Sequence, residues 1–301
     1  MLRRTFLSAV PAALAAAPAK ETFTYKKVNG LEIQADVYRA GTPAIFWIHG
    51  GALISGHRGN LRATQLEKYL AAGFTVVSID YRLAPEVKIA AILSDVEDAW
   101  KWVQRDGPKL FGIDARRVGV VGHSAGGYLT LACGYRAKPR PRALVSFYGY
   151  GDIAGDWYAK PDPFYSKQPK VSKDDAYGAV GKGVITGTPG PNQRGRFYLY
   201  CRQNGLWPKE VAGRENGLDE YCPLRKVRKG WPATMLLHGD KDTDVPFEQS
   251  ELMAAEFKRR GVRHEFVRIP GGGHGFDGRM EDTQVQAAFK KVLGFLQKEL
   301  G

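Results

Sequence analysis

The five-residue stretch Gly122–Gly126, with the sequence GHSAG, constrains this chain more than any other part of its sequence. An apolar run over 118–121 precedes it, and a helix-like run over 127–135 follows it. This order predicts a strand, a sharp turn with the serine at its apex, and a helix. A serine at such an apex takes strained backbone angles, and the residues two positions before and after it must lack bulk, as Gly122 and Gly126 do. The pattern is typical of a turn that presents a nucleophilic serine, and the competing interpretation is an ordinary strand-to-helix turn.

Predicted strands and helices alternate along most of the chain. Apolar runs and alternating patterns predict strands at 22–26, 31–38, 44–48, 75–79, 117–121, 143–148, 233–237 and 264–269. Helical periodicity predicts helices at 60–72, 89–105, 192–204, 246–260 and 281–300, and Gly107-Pro108 is expected to end the second of them. Because such alternation produces right-handed crossovers, we predict an α/β fold with a mostly parallel central sheet and helices on both faces.

The alternation stops over about residues 152–231. This segment is rich in proline and glycine and contains many aromatic residues, among them Trp157, Tyr158, Tyr198 and Trp207. A long insertion between core strands is usually a cap or a binding loop. We therefore predict one domain, residues 20–301, with a cap-like insertion whose aromatic side chains line a substrate pocket, form a small core of their own, or do both.

Composition excludes several classes of function. The formal net charge is +13, but lysine and arginine are scattered, which favours a solvated basic surface over a nucleic-acid partner. Neither a zinc-finger spacing nor a Cys-x-x-Cys pair is present, so we expect no metal and no cofactor. Cys133 is expected to be a buried apolar residue, whereas Cys201 and Cys222 either pair in an oxidising compartment or remain free thiols.

The first nineteen residues have the pattern of an export signal. Arg3-Arg4 precede a short apolar run, 6–17, and small residues at 17–19 offer a cleavage site. We expect export to the periplasm or the medium, and the paired arginines are compatible with the twin-arginine route. The alternatives are a simple secretory signal and a retained basic terminus. No later apolar run is long enough to span a membrane.

A serine hydroxyl is a weak nucleophile at neutral pH, so it needs a base within hydrogen-bond reach. Among the six histidines, His274 is the best candidate, because it lies in a glycine-rich segment, 271–275, directly after the last predicted strand. Loops that leave the carboxyl edge of a parallel sheet form the sites of open α/β folds. Glycines in this loop allow the backbone to carry His274 back towards Ser124.

The base needs a carboxylate that orients it, and this topology places that acid between the serine and the histidine in chain order. The segment after the penultimate strand offers three candidates, Asp240, Asp242 and Asp244. Asp244 lies near Pro246 and also fits a turn or a helix cap. Spacing alone does not choose between Asp240 and Asp242.

An anionic tetrahedral intermediate needs preorganised N–H donors. One is expected from the amide of Ala125, directly after the serine. Others are expected from His49–Ala52, which follows a buried strand and whose small residues let the backbone approach a substrate. The competing interpretation is an ordinary glycine-rich turn.

Taken together, these segments resemble the α/β-hydrolases, and within them the esterase and lipase group similar to hormone-sensitive lipase and bacterial carboxylesterases. The resemblance rests on His49-Gly50-Gly51, DYRLAPE over 80–86, GHSAGG over 122–127, the segment 238–246 and His274-Gly275-Phe276. It implies that Asp242 is the acid and that Gly51, Ala52 and Ala125 supply the oxyanion donors. Ala52 stands where the family usually has a third glycine, which narrows the approach to its amide.

The resemblance implies a serine hydrolase that cleaves carboxylic esters through an acyl-enzyme on Ser124, with His274 as base and Asp242 as its partner, and the N-terminal pattern adds the expectation of export. The expected substrate is a small-molecule or carbohydrate-linked ester, and no cofactor is needed. The alternatives are a carbohydrate acetyl or feruloyl esterase, a serine exopeptidase, and a non-catalytic binding protein on the same scaffold. Acyl length, leaving group and oligomeric state are not predicted by these motifs.

Overall fold

The computed structural model describes residues 19–188 and 193–301, and within them eight strands form one sheet. The strands are β1 (Glu21–Val28), β2 (Leu31–Tyr38), β3 (Ala44–Ile48), β4 (Thr75–Ile79), β5 (Val118–His123), β6 (Ala143–Phe147), β7 (Ala233–Gly239) and β8 (His264–Ile269). Their order across the sheet is β1-β2-β4-β3-β5-β6-β7-β8. β1 and β2 form an antiparallel hairpin, β2 pairs antiparallel with β4, and every other pairing is parallel. The predicted mostly parallel sheet is confirmed.

Helices cover both faces of this sheet. They are α1 (Ala63–Ala71), α2 (Ile89–Phe111), α3 (Ala125–Arg136), α4 (Asp156–Ala159), α5 (Lys173–Gly178), α6 (Gly195–Asn204), α7 (Glu248–Arg259) and α8 (Thr283–Leu300). Successive residues of a strand point to opposite faces, so β3 contributes Phe46 to one core layer and Trp47 to the other. Phe46 meets Trp100 of α2 edge-on, with ring centroids 5.7 Å apart. The sheet is therefore buried on both sides and holds its loops rigidly at the carboxyl edge.

The prediction that α2 ends at Gly107-Pro108 is wrong, because the helix continues to Phe111. Proline inside a helix costs about 3 kcal/mol, since it removes a hydrogen bond and crowds the preceding turn. The extra turn buries Phe111, whose ring centroid lies 5.5 Å from that of Trp102. Packing of this turn offsets the cost of the proline, and Gly112, at φ +73°, ends the helix in the left-handed conformation.

The insertion joins β6 to β7 and contains α4, α5, α6 and several short turns. Some of its aromatic residues form a small core of their own, which is one of the two arrangements expected from the sequence. Tyr158 stacks on Trp157 at 3.6 Å and on Trp207 at 4.0 Å between ring centroids. Arg194 ties the insertion to the sheet loops, because its buried guanidinium pairs with Glu86 at 2.6 Å. The insertion is therefore packed onto the domain rather than extended away from it.

The predicted export signal, residues 1–19, lies outside the described residues except for Ala19, and it stays a prediction. The three cysteines are buried free thiols, so Cys201 and Cys222 do not pair in this structure. Across 19–188 and 193–301, none of the helices combines the length and the hydropathy that a membrane crossing requires.

Candidate active site

Ser124 occupies the sharp turn between β5 and α3. Its backbone angles are φ 55° and ψ −120°, a region that side chains rarely adopt. The turn is tight on both sides: a Cβ on Gly122 would lie 2.2 Å from the Gly126 carbonyl oxygen, and a Cβ on Gly126 would lie 2.1 Å from that of Ile48. The two glycines are thus required by close backbone contact, and they hold the serine above the carboxyl edge of the sheet.

The structure brings Ser124, His274 and Asp242 into one chain of hydrogen bonds. His274 Nε2 lies 3.1 Å from Ser124 Oγ, and His274 Nδ1 lies 2.8 Å from Asp242 Oδ2. The three residues follow β5, β8 and β7, whose carboxyl ends lie along the same edge of the sheet, with β6 between β5 and β7. This is the arrangement in which a histidine can take the proton of a serine hydroxyl while a carboxylate fixes the other ring nitrogen.

Asp242 and Asp240 have different environments. Asp240 is bonded to the exposed Arg268 side chain and to the amide of Gly271, away from His274. Asp242 is fully buried, and its Oδ1 accepts hydrogen bonds of 2.9 Å from the amides of Asp244 and Val245. Geometry therefore places Asp242, and not Asp240, beside the histidine.

The carboxyl group of Asp242 is held in its charged form. Burial alone would raise its pKa, but hydrogen bonds from His238 and His274 outweigh burial and leave the pKa well below its ordinary value. His238 also bonds to Ser250 Oγ at 2.8 Å, so it supports the acid rather than acting as a base. A permanently ionised Asp242 can stabilise a positive charge on His274.

His274 lies among three carboxylates, of which only Asp242 belongs to the predicted site. Asp244 Oδ2 lies 3.4 Å from His274 Nε2, on the same nitrogen that faces the serine. Burial lowers the pKa of the imidazole, but the bond to Asp242 and the negative charges of Asp244 and Asp277 outweigh it, so that the pKa is raised above its ordinary value. The imidazolium form is thus favoured more than in an isolated histidine.

Asp277 is the centre of a buried network that the sequence did not predict. Its carboxylate accepts hydrogen bonds from the Tyr148 hydroxyl at 2.5 Å and from Gln65 Nε2 at 2.6 Å, and it lies 3.3 Å from His123 Nδ1. The Tyr148 ring in turn meets the His274 ring edge-on, with centroids 4.6 Å apart. Burial raises the pKa of Asp277, but the His123 charge and these hydrogen bonds outweigh it and lower the pKa, so the network contains a carboxylate.

The predicted oxyanion donors lie on two segments that meet at Ser124. Gly51 and Ala52 have φ values of +105° and +57°, and this backbone path brings the loop against the serine. A Cβ on the neighbouring Gly50 would lie 3.2 Å from Ser124 Cβ. Among the described residues, no hydrogen bond takes the amides of Gly51 or Ala52 as donor. Ala125 is the first residue of α3, where amides have no acceptor within the helix.

A cavity of about 490 Å³ opens above these groups. Ser124 and His274 lie on its wall together with Gly50, Gly51, Ala52, Ser55, His57, Arg62, Tyr148, Thr188, Tyr198 and Asp244. Tyr198 and Thr188 belong to the insertion, so some of its residues line the pocket while others form its own core. The part of the chain that the structure describes contains no group of histidine, cysteine and acidic side chains arranged to hold a metal ion.

The roles of two cavity residues, Asp244 and Tyr148, were not predicted from the sequence. Asp244 fitted a turn or a helix cap, but its carboxylate instead contacts Tyr198, Arg202 and His274. Tyr148 directly follows β6 at the carboxyl edge and has φ +38°. Its place at a strand end was the available signal, because side chains at this edge gather around one site.

Family comparisons match the chain in two parts. A sequence profile described as the alpha/beta hydrolase fold matches residues 45–181, and one described as the prolyl oligopeptidase family matches residues 200–301. A non-reducing polyketide synthase of Preussia isomera is 30% identical over 303 residues, which cover 87% of this chain and 14% of the synthase. Another, of Acremonium egyptiacum, is 31% identical over 333 residues, covering 92% of this chain and 15% of the synthase. The chain thus spans about a seventh of the length of these relatives.

Solved structures agree on the fold. A Staphylococcus aureus protein of unknown function superposes with a TM-score of 0.79 at 20% identity, covering 93% of this chain and all of the other. An alpha/beta hydrolase superfamily protein from Enterococcus faecalis has a TM-score of 0.75 at 23% identity, covering 94% and 100%. A thermophilic esterase of Thermogutta terrifontis has a TM-score of 0.66 at 23% identity, covering 94% and 93%. The profile matches support hydrolase activity, and together with the sheet order and the serine turn they show that the chain has the α/β-hydrolase fold, as its motifs predicted.

Proposed function

We propose that the protein is a serine hydrolase that cleaves carboxylic esters. The observation that carries this proposal is the position of His274, which lies within hydrogen-bond distance of both Ser124 Oγ and the buried Asp242 carboxylate at the wall of an open cavity. A strained serine, a base and an ionised acid in this order are the parts that nucleophilic acyl transfer requires.

The geometry supports a two-step reaction. His274 Nε2 takes the hydroxyl proton as Ser124 Oγ bonds to the ester carbonyl carbon. The resulting oxyanion is held by the amides of Gly51, Ala52 and Ala125, and Asp242 stabilises the imidazolium. The carbon–oxygen bond to the alcohol then breaks as His274 returns the proton to the leaving oxygen. Water repeats the sequence on the acyl-enzyme and releases the acid.

Short acyl esters are the first substrates to test. The Thermogutta terrifontis esterase has been solved with propionate and with butyrate bound, which suits a short acyl group in a related fold. Acetylated or feruloylated carbohydrate is a second class, because the basic surface and the aromatic insertion are compatible with a carbohydrate-linked ester.

A serine exopeptidase is the second candidate function. The observation that favours it is the match of residues 200–301, which include Asp242 and His274, to the prolyl oligopeptidase profile. The same relay cleaves amides when the leaving amine is positioned for protonation. Comparing turnover of acyl esters with that of aminoacyl amides separates the two, and faster amide turnover would replace the esterase proposal.

A fluorophosphonate probe tests whether the serine is nucleophilic. We expect the wild-type protein to be labelled and to hydrolyse short-chain esters, and Ser124→Ala to do neither. Ser55→Ala is the matched control, because Ser55 lies on the same cavity wall but donates to the Gly51 carbonyl instead of facing His274. An unlabelled wild type would favour a binding protein on this scaffold, and labelling that survives in Ser124→Ala would show that a residue other than Ser124 reacts with the probe.

A further inference from the structure

The cavity wall carries an arginine, Arg62, that the proposed reaction does not use. Its side chain is 45% exposed, and its closest charged partner is Asp277, whose Oδ2 lies 3.5 Å from Arg62 Nε. Within 19–188 and 193–301, no hydrogen bond has the guanidinium of Arg62 as donor. Both terminal nitrogens therefore remain available to a molecule in the cavity.

Asp277 offsets the charge of Arg62 but does not use the donors on its terminal nitrogens. Its oxygens already accept hydrogen bonds from Tyr148 and Gln65, and its Oδ2 also faces His123. Arg62 contacts the carboxylate only through Nε and at a distance beyond that of a good charge-assisted hydrogen bond. The guanidinium therefore keeps N–H donors that Asp277 does not use.

The guanidinium is held in place by the loop that carries His274. A Cβ on Gly278 would lie 2.8 Å from Arg62 Cζ, so the planar group rests directly on that glycine. Arg62 Nη2 is 3.9 Å from the corresponding position on Gly275, the residue after the base. At the other end, the Arg62 carbonyl accepts the amides of Gln65 and Leu66 at the start of α1. Because these contacts already restrict the side chain of Arg62, little conformational entropy is lost when it binds a ligand.

The cavity wall also carries a negative charge. Asp244 lies there, but its carboxylate already accepts the Tyr198 hydroxyl and pairs with Arg202, whose side chain is fully buried. Arg202 makes a second pair with Asp162 at 2.5 Å, so this wall has one cation between two anions. Arg62, by contrast, is a cation on the cavity wall, and its nearest carboxylate, Asp277 at 3.5 Å, is not among the residues that line the cavity.

We propose that Arg62 makes the cavity selective for esters that also carry a carboxylate. A guanidinium donates two parallel hydrogen bonds to a carboxylate, which gives both affinity and orientation. The overall charge of +13 favours the approach of such anions from solution. The inference rests on the proposed esterase activity and adds a substrate class to it.

Three related esters test the inference. Ethyl butyrate is the neutral reference. Monoethyl succinate replaces the terminal methyl of its acyl group by a carboxylate, and butyryloxyacetate replaces the terminal methyl of its alcohol in the same way. We expect the wild type to prefer at least one anionic ester in kcat/KM, and Arg62→Gln to lower that anionic-to-neutral ratio about tenfold. Arg105→Gln is the control, because it removes the same charge from an exposed pair with Asp106 on α2.

Binding to Ser124→Ala keeps this inference separate from the esterase proposal. Calorimetric titration with succinate should give a dissociation constant that rises about tenfold when Arg62→Gln is added. If succinate binds equally with and without Arg62, or if the ester ratio is unchanged in Arg62→Gln, the inference is overturned. Tighter binding of inorganic phosphate than of succinate would overturn the assignment to carboxylates. Absence of ester hydrolysis in the wild type would instead count against the esterase proposal and leave the binding result to decide.

Discussion

Replacing Asp244 by asparagine should make His274 an effective base at lower pH. Only the neutral imidazole can accept the Ser124 proton, and the raised pKa of His274 keeps the ring protonated until the pH rises past it. Asp244 contributes to that shift, because its Oδ2 lies 3.4 Å from His274 Nε2. Asparagine keeps the size of the side chain and an acceptor for the Tyr198 hydroxyl, but it removes the negative charge.

The distance sets the size of the effect. Two unit charges 3.4 Å apart interact by about 1.2 kcal/mol even at the dielectric constant of water, which corresponds to about eightfold in the ratio of neutral to protonated histidine. The guanidinium of Arg202 lies 3.2 Å from the other Asp244 oxygen and remains after the substitution. Its positive charge is then paired with Asp162 alone and adds to the change. On the acidic side of the profile we therefore expect kcat/KM to rise about eightfold or more.

The assay is a pH–rate profile of kcat/KM for ethyl butyrate, with direct titration of the His274 imidazole by nuclear magnetic resonance. In Asp244→Asn the acid limb and the titration should both move to lower pH, and the plateau should show no gain. Asp162→Asn is the control, because it removes the other partner of Arg202 and no charge from beside His274. An acid limb that stays in place in Asp244→Asn, or that moves equally in Asp162→Asn, would refute the electrostatic reasoning.

Two further substitutions test the packing around the site. Gly126→Ala places a Cβ 2.1 Å from the Ile48 carbonyl oxygen. We therefore expect the free energy of unfolding in urea to fall by about 1–3 kcal/mol, with a larger loss of activity. Gly294→Ala is the control, because this glycine is exposed in α8 with no atom near its Cβ position, and it should raise the free energy of unfolding by about 0.5–1 kcal/mol. If both alanines had the same effect, close contact would not be the reason for the glycine. Glu86→Gln breaks the buried ion pair with Arg194 and should lower the free energy of unfolding by about 3–5 kcal/mol. Glu97→Gln, in a half-buried pair with Arg136, should lower it by less than about 1 kcal/mol. Equal midpoints of urea unfolding for the two variants would contradict this ranking.

The strands were predicted well because their apolar runs are local signals. β8 was predicted at 264–269 and lies there, and β3 and β4 also agree with their predicted runs. The errors lie at ends that tertiary packing decides. β5 continues to His123 because the chain keeps its pairing with β6 up to the serine turn, and α2 passes Pro108 because its last turn buries Phe111. Neither the paired strand β6 nor the residues that pack on Phe111 are visible in the short stretch of sequence from which an element end is predicted.

The residues of the site also fall into two groups, those that local motifs predict and those that depend on long-range contacts. Ser124, His274 and the aspartate segment lie in short motifs whose glycines and strand ends are visible in the sequence, and the structure places them within hydrogen-bond distance. Asp277 is three residues from His274, but its partners Gln65 and Tyr148 are 212 and 129 positions away from it. No periodicity or spacing predicts contacts of that kind, because they depend on which strand ends become neighbours.

This division has a chemical consequence. The proton relay needs only three side chains, and those are the ones a motif can specify. The pH range of the relay depends on every charge near His274, and two of its three carboxylates, Asp244 and Asp277, are set by contacts with the insertion and with α1. Because the same two regions also form the cavity walls, a change in substrate preference at Arg62 or Tyr198 will alter the electrostatics of the base as well. Two α/β-hydrolases with identical motifs can therefore differ in substrate and in acid limb together, through residues that neither motif contains.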